Sequence, residues 1–403
     1  MPFRIALSGL NAASDDLAVT ANNLANVNTV GFKESRAEFE AVYANSAQST
    51  SSAAIGNGVR LNDVSQQFSQ GNIDFTNNAL DLALTGEGFF ALSNDGAFEY
   101  TRAGNFRIDN EGFVVASDGS RLQGYLPTIP GEFNSGQLSD LQVSTGANPP
   151  TATTQADFDV NVPADATQPT VTPFDPDVPS SYNHSTSITI YDSLGNPATS
   201  TLYFVKEAAD NAWTAHVTID GTTVGSEAVT FDASGQIATP ATGTFALPAY
   251  DPANGASPIN LTIDIAGTTQ FGGAFAVNTI SQDGSASGTL TGLAIDRDGV
   301  LVARFTNGQS TALGKIALTL FSNPQGLEQV DGSWTSTVAS GEPILGDANV
   351  GRFGSITSGA LEASNVDLTE QLVNMITVQR NFQANAQMIS TADTTTQTII
   401  NIR

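Results

Sequence analysis

The chain has 403 residues, of which 40% are hydrophobic and only 13% are charged, and its formal net charge is −26. Lys and Arg are so scarce that nucleic acid and anionic membranes are not expected as partners, because both are held by basic side chains. The sequence contains no cysteine, which excludes a disulfide framework, thiol catalysis and thiolate metal sites.

The first ten residues carry one basic residue, Arg4, beside a short apolar patch. Ser8, Gly9 and Asn11 interrupt that patch before a secretory core forms, so we expect no cleavable signal peptide and an export route that keeps the N-terminus. No stretch approaches the roughly 20 apolar residues of a membrane helix, so membrane insertion is not expected.

A helix is predicted over residues 3 to 28, with apolar residues along one side. Asn residues crowd its end and Gly31 follows, which favours termination near Val27. The apolar side consists of Leu7, Leu10, Leu17, Ala21 and Leu24, flanked by Ala6, Ala13 and Val27.

Residues 31 to 70 are predicted to form a connector. We expect a short amphipathic helix over residues 34 to 43, on which Phe39, Val42 and Tyr43 are apolar. The Ser- and Gly-rich residues 45 to 58 have little to bury and are the candidate hinge. A strand is expected over residues 60 to 68.

The pattern of residues 71 to 144 predicts a β domain. Leu80, Leu82 and Leu84 alternate with other residues, and Gly-containing turns then divide the chain into short strands at 89–92, 98–101, 106–108 and 112–115. Residues 285 to 359 return to the same domain, with strands expected at 292–295, 300–305, 314–321 and 332–337. Gly86 and Gly88 do not form a phosphate loop, because the third glycine and the Lys are missing.

Residues 145 to 284 are predicted to form a second, inserted β domain. Its boundary is rich in Pro, Thr and Asp, and it is strongly acidic, which indicates an exposed outer position. Short β-rich runs at 187–191, 200–206, 213–219, 228–231 and 261–265 suggest a sandwich or a barrel. The predicted fold is therefore mainly β with terminal α-helices, one β domain being nested within the other.

A long second helix is predicted over residues 361 to 402. Two apolar tracks with a spacing of seven run along it at an offset of four, as in a coiled-coil seam. Ser364 or Asn365 is the expected N-cap, and Asp367 and Glu370 suit the helix dipole. The tracks are Leu361, Leu368, Met375, Phe382 and Ile389, and Leu372, Ala386 and Ile400. Residues 1–30 and 360–403 are thus expected to pair as a helical coiled coil.

No residue pattern predicts catalysis. His184 and His216 lie in separate runs without the Cys or spaced carboxylates of a metal site. The residues around Asp296 and Asp298 lack the third ligand and the terminal Glu of a calcium loop. No Ser, Thr or Tyr lies in a nucleophile elbow. We therefore expect a protein that is not an enzyme and that binds no cofactor and no metal.

Two long motifs at opposite ends of the chain resemble the bacterial flagellar rod and hook family. The first covers residues 21 to 33, and the second covers 364 to 376 with 379 to 386. Residues 70 to 106 also resemble the β domain next to the tube in that family. The matching motif positions are Asn22, Asn23, Asn26, Gly31 and Phe32, and Asn365, Asp367, Gln379, Arg380 and Gln383.

The resemblance implies a polymer of many copies. The length and the insert favour the hook branch, whose subunits form the curved tube that carries torque from motor and rod to the filament, over a distal rod subunit. The terminal helices would line the channel, residues 71–144 and 285–359 would form the tube wall, and residues 145–284 would lie outermost.

The same resemblance implies an extracellular location and a set of partners. The expected partners are the distal rod protein, the hook cap, the hook-length ruler, the hook–filament junction protein and the flagellar export apparatus. From other classes, a secreted acidic surface-layer protein or adhesin would explain the acidic β domains but not the paired terminal heptads. A glycan hydrolase is the more distant alternative.

Overall fold

The computed structural model describes residues 2–42, 56–129, 131–144 and 146–401. Two long helices, α1 (Pro2–Ala25) and α2 (Leu368–Asn401), lie at the ends of the described chain, and the described elements between them are β-strands and short 3₁₀ turns. The chain is therefore mainly β with terminal helices, as predicted. Within the described ranges, no helix is long and apolar enough to cross a membrane.

The N-terminal part of the chain after α1 contains twelve short strands. They are β1 (Ser35–Ala41), β2 (Val59–Gln66), β3 (Ile73–Phe75), β4 (Leu82–Thr85), β5 (Phe89–Asn94), β6 (Ala97–Thr101), β7 (Arg107–Ile108), β8 (Val114–Val115), β9 (Arg121–Tyr125), β10 (Pro127–Ile129), β11 (Glu132–Phe133) and β12 (Ser139–Asp140).

The middle of the chain contains longer strands and one short 3₁₀ turn at Pro179–Ser181. They are β13 (Gln155–Pro163), β14 (His184–Tyr191), β15 (Pro197–Lys206), β16 (Ala212–Ile219), β17 (Thr222–Phe231), β18 (Ile237–Thr239), β19 (Thr244–Ala246), β20 (Thr262–Asp264), β21 (Thr269–Phe271) and β22 (Ala276–Gln282).

Eight further strands precede α2, with a second 3₁₀ turn at Pro324–Gly326. They are β23 (Leu290–Ile295), β24 (Val300–Phe305), β25 (Ser310–Leu320), β26 (Glu328–Val330), β27 (Ser333–Thr335), β28 (Ile344–Asp347), β29 (Ser355–Ser358) and β30 (Ala360–Glu362).

The chain divides into two compact units. Unit 1 comprises Met1–Ser144, Leu293–Ala303 and Thr311–Arg403, and unit 2 comprises Thr145–Gly292 and Arg304–Ser310. Unit 1 therefore holds both terminal helices. Unit 2 corresponds to the predicted insert, residues 145–284, together with residues 285–292 and the short segment Arg304–Ser310.

The main sheet of the first β region has twelve strands, and its central order is β23-β24-β25-β9-β5-β6-β27-β26. Its aromatic cluster consists of edge-to-face contacts, such as that of Phe89 with Trp334 at 5.4 Å between ring centroids. β4 is buried on both faces, since Leu82, Ala83 and Leu84 are all inaccessible to solvent. Burial of both faces explains why this run reads as continuously apolar.

Unit 2 contains two five-stranded sheets. One has the order β14-β15-β16-β17-β18, and the other has the order β19-β20-β13-β21 with β22 paired to β13. Alternate residues of β13, from Ala156 to Val162, are fully buried and share one core with Leu202 and Trp213 of the facing sheet. Of the two predicted alternatives, the insert is thus a sandwich.

The predicted amphipathic helix over residues 34 to 43 is wrong. Ser35–Ala41 forms β1, which pairs antiparallel with β2, from Ser35 opposite Gln66 to Ala41 opposite Val59. The Glu, Arg and Ala residues of this run favour a helix, but tertiary pairing overrides that weak preference. Residues 45 to 55 of the predicted hinge, Tyr43 and Ile402 lie outside the described residues.

Candidate functional site: the paired chain ends

The two terminal helices pack against each other, and the buried residues of α1 are small or polar. Among the described side chains of α1, the buried ones are Ala6, Ala13 and Thr20, which are spaced by seven, and Asn23. A Cβ added at Gly9 would lie 2.7 Å from Oδ1 of Asn385, so this glycine permits close approach of the two helices. The covered side of α2 runs through Gln371, Met375, Val378, Phe382, Asn385 and Ile389.

The structure divides the predicted seam residues into partly covered and exposed ones. Met375, Phe382 and Ile389 are partly covered, and so are Leu10, Leu17 and Leu24 of α1. In contrast, Leu7, Leu368 and Leu372 are 42%, 48% and 43% exposed. The second covered track of α2 is offset from the first by three residues instead of the predicted four, and it runs through Gln371, Val378 and Asn385.

The start of α2 also differs from the prediction. Leu361 lies in β30, which pairs with β3, so its placement in the helix is wrong. The N-cap is Asp367, whose Oδ1 accepts hydrogen bonds from the backbone N–H groups of Thr369 (2.7 Å) and Glu370 (3.2 Å). Neither Ser364 nor Asn365 holds this position. An ionised cap also suits the positive end of the helix dipole.

A buried ion triad lies where the chain ends meet the β region. Lys33 Nζ donates to Glu362 Oε1 at 2.6 Å, and Arg102 Nη1 donates to Glu362 Oε2 at 3.1 Å. All three side chains are at most 6% exposed. Burial lowers the pKa of Lys33 and of Arg102, and the Glu362 carboxylate partly offsets this by favouring both cations. The triad therefore joins the segment after α1, the segment before α2 and the main sheet.

Further polar contacts of the triad satisfy backbone groups. Lys33 Nζ also donates to the carbonyl of Ser69 at 2.7 Å, and Arg102 Nη2 donates to the carbonyl of Gly86 at 2.7 Å. Buried charges need several such partners, since a lone ion pair rarely compensates its loss of hydration.

Asn23 pins the end of α1 to β1. Its Nδ2 donates to the carbonyl of Ser35 at 2.7 Å, and its Oδ1 accepts from the N–H of Ser35 at 2.9 Å. The same Nδ2 lies 3.4 Å from Oε1 of the buried Gln371 on α2. Gln371 in turn donates to Glu34 Oε1 at 2.8 Å. Burial raises the pKa of Glu34, and the bond from Gln371 opposes that rise.

Asn365 and Gly31 hold the other side of this polar junction. Asn365 accepts from the N–H of Glu34 at 2.8 Å and donates to the carbonyl of Gln67 at 2.8 Å. Gly31 has φ of +70° and donates its N–H to the carbonyl of Glu362 at 2.8 Å. A side chain at Gly31 would collide with the backbone of Ala103, so only glycine fits.

Three family models match the chain, at the ends and in the insert. A model described as "Flagella basal body rod protein" matches residues 3–33, and one described as "Flagellar basal body rod FlgEFG protein C-terminal" matches residues 357–402. A third, "Flagellar basal body protein FlaE D2 domain", matches residues 127–285. The two terminal matches cover the helices and the polar junction described above.

Curated relatives match over the full length. The "Flagellar hook protein FlgE" of Escherichia coli K12 is 37% identical over 100% of both chains, and that of Salmonella typhimurium is 36% identical over 100% of both chains. The chain belongs to the flagellar hook protein family. It is a structural subunit of the flagellar hook, and this family is not a known enzyme family.

A solved structure supports the fold of this hook protein family member. The crystal structure of Helicobacter pylori flagellar hook protein FlgE2 aligns with a TM-score of 0.54 at 17% identity, covering 72% of this chain and 100% of that chain. At this level of identity, the likeness shows a common fold.

The family motif residues divide into two groups in the hook subunit. Asn23, Gly31, Asn365 and Asp367 have the positioning contacts given above, and Asn26 closes the end of α1 by donating to Asn22. Phe32 is half-buried beside them. Gln379, Arg380 and Gln383 are exposed on α2, and in the described part of the chain they make no side-chain hydrogen bond or ion pair.

Sequence reasoning missed the ion triad of the hook subunit. Lys33 and Arg102 both lie inside motifs that resemble the family, and each is a cation in a chain with 14 basic residues. That scarcity was a usable signal, but Glu362 lies 260 residues from Arg102, and only the fold brings them together.

Both histidines of the insert stack on aromatic rings. His216 stacks on Phe174 at 4.1 Å between centroids, and His184 stacks on Phe275 at 4.5 Å. Burial lowers the pKa of both. Across the described ranges, no group of three or more His, Asp or Glu side chains is placed to hold a metal ion.

Proposed function

We propose that this hook subunit polymerises head to tail through its terminal helices into a flexible, curved tube that transmits torque from the rod to the filament. Head-to-tail contacts use two different surfaces on each copy and do not close on themselves, so they generate an open helical assembly. The supporting observation is that both terminal helices carry large apolar side chains that the subunit itself leaves exposed.

In their described part, the two helices carry seven large apolar side chains that are exposed in the subunit. They are Phe3 and Leu7 on α1, and Leu368, Leu372, Val373, Ile376 and Met388 on α2, all between 42% and 59% exposed. Contiguous apolar surface of this kind marks a site of protein association. In the assembled hook, we infer that neighbouring copies cover it.

We infer that the order of the two helices depends on contacts with neighbouring copies. Met375, Phe382 and Ile389 of α2 are only partly covered in the subunit, so the helix pair buries its apolar side chains incompletely. We infer that in the free subunit the outer turns of the helices are only partly ordered and that they become fully ordered on assembly. Limited proteolysis of free and polymerised protein tests this: equal protection of α2 in both states would contradict it.

The layered arrangement follows from the same inference. We propose that the helices line the central channel, that the twelve-stranded sheet forms the tube wall, and that unit 2 lies outermost. As partners we propose the distal rod protein, the hook cap, the hook-length ruler, the hook–filament junction protein and the flagellar export apparatus, because these meet a hook subunit during export and assembly.

Electron microscopy of purified protein at increasing protein and salt concentration tests polymerisation. We expect curved tubes from the natural chain and none from a variant that carries Leu7→Ser, Leu372→Ser and Ile376→Ser. The matched control replaces three exposed apolar residues of unit 2 by Ser, namely Val171, Leu194 and Phe271, which are 40%, 57% and 47% exposed. Tubes from the helix variant, or their loss in the control alone, would contradict the proposal.

A further inference from the structure

A groove with a mixed apolar and polar lining runs between the two helices and the β1–β2 pair, with a volume of about 520 Å³. Small residues of the helices, Gly9, Ala13 and Ala384, keep it open, and Phe39 and Val59 of the strands form its apolar wall. Phe39 is 38% exposed although it lies in the middle of a strand. A groove of this shape can receive large side chains from another helix.

One end of the groove is marked by a carboxylate. Asp16 lines both the groove and the adjoining polar cavity of about 250 Å³ that reaches Asn23 and Glu34. Burial raises the pKa of Asp16. In the part of the chain that the structure describes, its carboxylate has no hydrogen-bond or ion-pair partner. A partly desolvated carboxylate of this kind is a favourable position for an incoming cation.

The outer side of α2 carries a stripe with the complementary order. Leu372, Val373 and Ile376 are 43%, 59% and 52% exposed, and Arg380 follows one turn further on. These residues lie within one arc of the helix, opposite the side that faces α1. The stripe is therefore apolar along most of its length and ends in a single positive charge.

Charge favours a contact between the groove of one copy and the α2 stripe of another. Copies of a chain with a net charge of −26 repel each other. Within Pro2–Ala25 and Leu368–Asn401, the basic residues are Arg4 and Arg380, and Arg380 is the one that adjoins the exposed apolar stripe. A contact that places Arg380 against the acidic end of the groove replaces repulsion by attraction.

We propose that the groove of one copy receives the stripe of α2 from a second copy, with Arg380 of the incoming helix paired with Asp16. This inference rests on the proposed polymerisation and assigns its register. Gly9 to Asp16 and Val373 to Arg380 each span seven residues, about 10 Å along a helix axis. Groove and stripe are different surfaces of one subunit, so the contact is heterologous and continues from copy to copy.

A charge exchange between two variants tests the pairing. Asp16→Arg alone sets a second guanidinium against Arg380, and Arg380→Asp alone sets a second carboxylate against Asp16. Because like charges in contact strongly disfavour association, we expect each variant to need about tenfold or more higher protein concentration to polymerise. An equimolar mixture creates two opposite-charge contacts if the copies alternate, so it should polymerise close to the concentration that the natural chain requires.

The control is Asp15→Arg, the same change one residue earlier. Asp15 is exposed and does not line the groove, so this variant should polymerise like the natural chain. Light scattering gives the threshold concentration, and circular dichroism checks that each variant folds.

The outcomes separate the two proposals. If the mixture is as defective as the single variants, or if Asp16→Arg behaves like Asp15→Arg, the pairing is wrong and another surface fills the groove, while polymerisation through the helices stands. If the natural chain itself forms no polymer, the proposed function fails first.

Discussion

The insert and the helix pair solve the problem of burying apolar surface in opposite ways. Unit 2 shares one core of 20 buried hydrophobic residues between two sheets. The two helices have 24 and 34 residues, yet in their described part the buried hydrophobic residues are Ala6, Ala13 and Val378. The sandwich completes its own core, whereas the helix pair leaves its largest apolar side chains for a neighbouring copy.

This difference indicates where stability and assembly are encoded. Substitutions in the sandwich core should act on folding, and substitutions on the outer faces of the helices should act on polymerisation. The two tryptophans allow separate measurements, because the buried Trp213 lies in unit 2 and the buried Trp334 lies in unit 1. Urea unfolding of single-Trp variants, Trp213→Phe or Trp334→Phe, then reports the free energy of unfolding of one unit at a time.

The largest effect is expected at the ion triad, which ties the helix pair to the main sheet. Glu362→Gln leaves the buried cations Lys33 and Arg102 without their shared counter-charge. Breaking a buried ion pair in this way costs about 3–5 kcal/mol, and we expect that loss in the free energy of unfolding reported by Trp334. Part of the loss should diminish at high pH, because burial already lowers the pKa of Lys33.

The control for the triad is Glu111→Gln, which breaks the exposed ion pair with Arg121, whose side chains are 69% and 40% exposed. An exposed pair contributes only about 0–1 kcal/mol. Equal effects of the two substitutions would contradict the assignment of the triad as the attachment point.

The next prediction compares a Leu→Ala substitution in the core of unit 2 with the same substitution on the exposed face of α2. Leu202→Ala empties a fully buried position of the sandwich and should cost about 2–5 kcal/mol in the Trp213 signal. Leu372→Ala removes the same atoms from an exposed face of α2 and should change the stability of the monomer by less than about 0.5 kcal/mol. Its effect should be on the polymerisation threshold. A large loss of monomer stability from Leu372→Ala would show that the subunit covers this face by itself.

A smaller effect is expected at the end of α1, where two adjacent Asn residues have different surroundings. Asn23→Ala leaves both backbone groups of Ser35 without their partner, which should cost about 1–3 kcal/mol. Asn22→Ala changes an exposed residue that only accepts from Asn26 and should cost well under about 1 kcal/mol. The Trp334 signal measures both, and the reverse order would exclude Asn23 as the pin between α1 and β1.

Local sequence patterns predicted much of this fold. The end of α1, the short strands after Gly71 and the β-rich insert, predicted as a sandwich or a barrel, follow from turn residues and period-two alternation, which are local signals. The errors occur where distant segments decide the outcome. Residues 34 to 43 form a strand because β2 pairs with them, and Leu361 joins β3 rather than α2.

The site was predicted less well, for the same reason. Heptad spacing placed Leu7 and Leu372 in one seam with Met375, Phe382 and Ile389. The structure leaves the first two exposed and the other three partly covered. A leucine that the subunit leaves exposed and one that it buries look identical in sequence. The ion triad joins Glu362 to cations that lie 329 and 260 positions away in the chain, a distance over which spacing arguments carry no information.

The smallest predicted effect depends on pH and concerns the stability of unit 2, at the buried carboxylate of Asp192. Burial would raise the pKa of Asp192, but hydrogen bonds from Asn196, Asn254 and the N–H of Leu194 outweigh it and lower the pKa to about 2, from the ordinary 3.8. Because the folded pKa is the lower one, the carboxylate stabilises unit 2 fully above pH 3.8, and this contribution is lost as the pH falls towards 2. Asp192→Asn should therefore cost about 1–2 kcal/mol at pH 7 and clearly less at pH 2, where about half of the Asp192 side chains are protonated. In urea titrations, the Trp213 signal should show this convergence, whereas the Trp334 signal should be unchanged by the substitution at either pH. A constant difference between Asp192→Asn and the natural chain from pH 7 to 2 would mean that the loss comes from packing and that the carboxylate charge has no part in it.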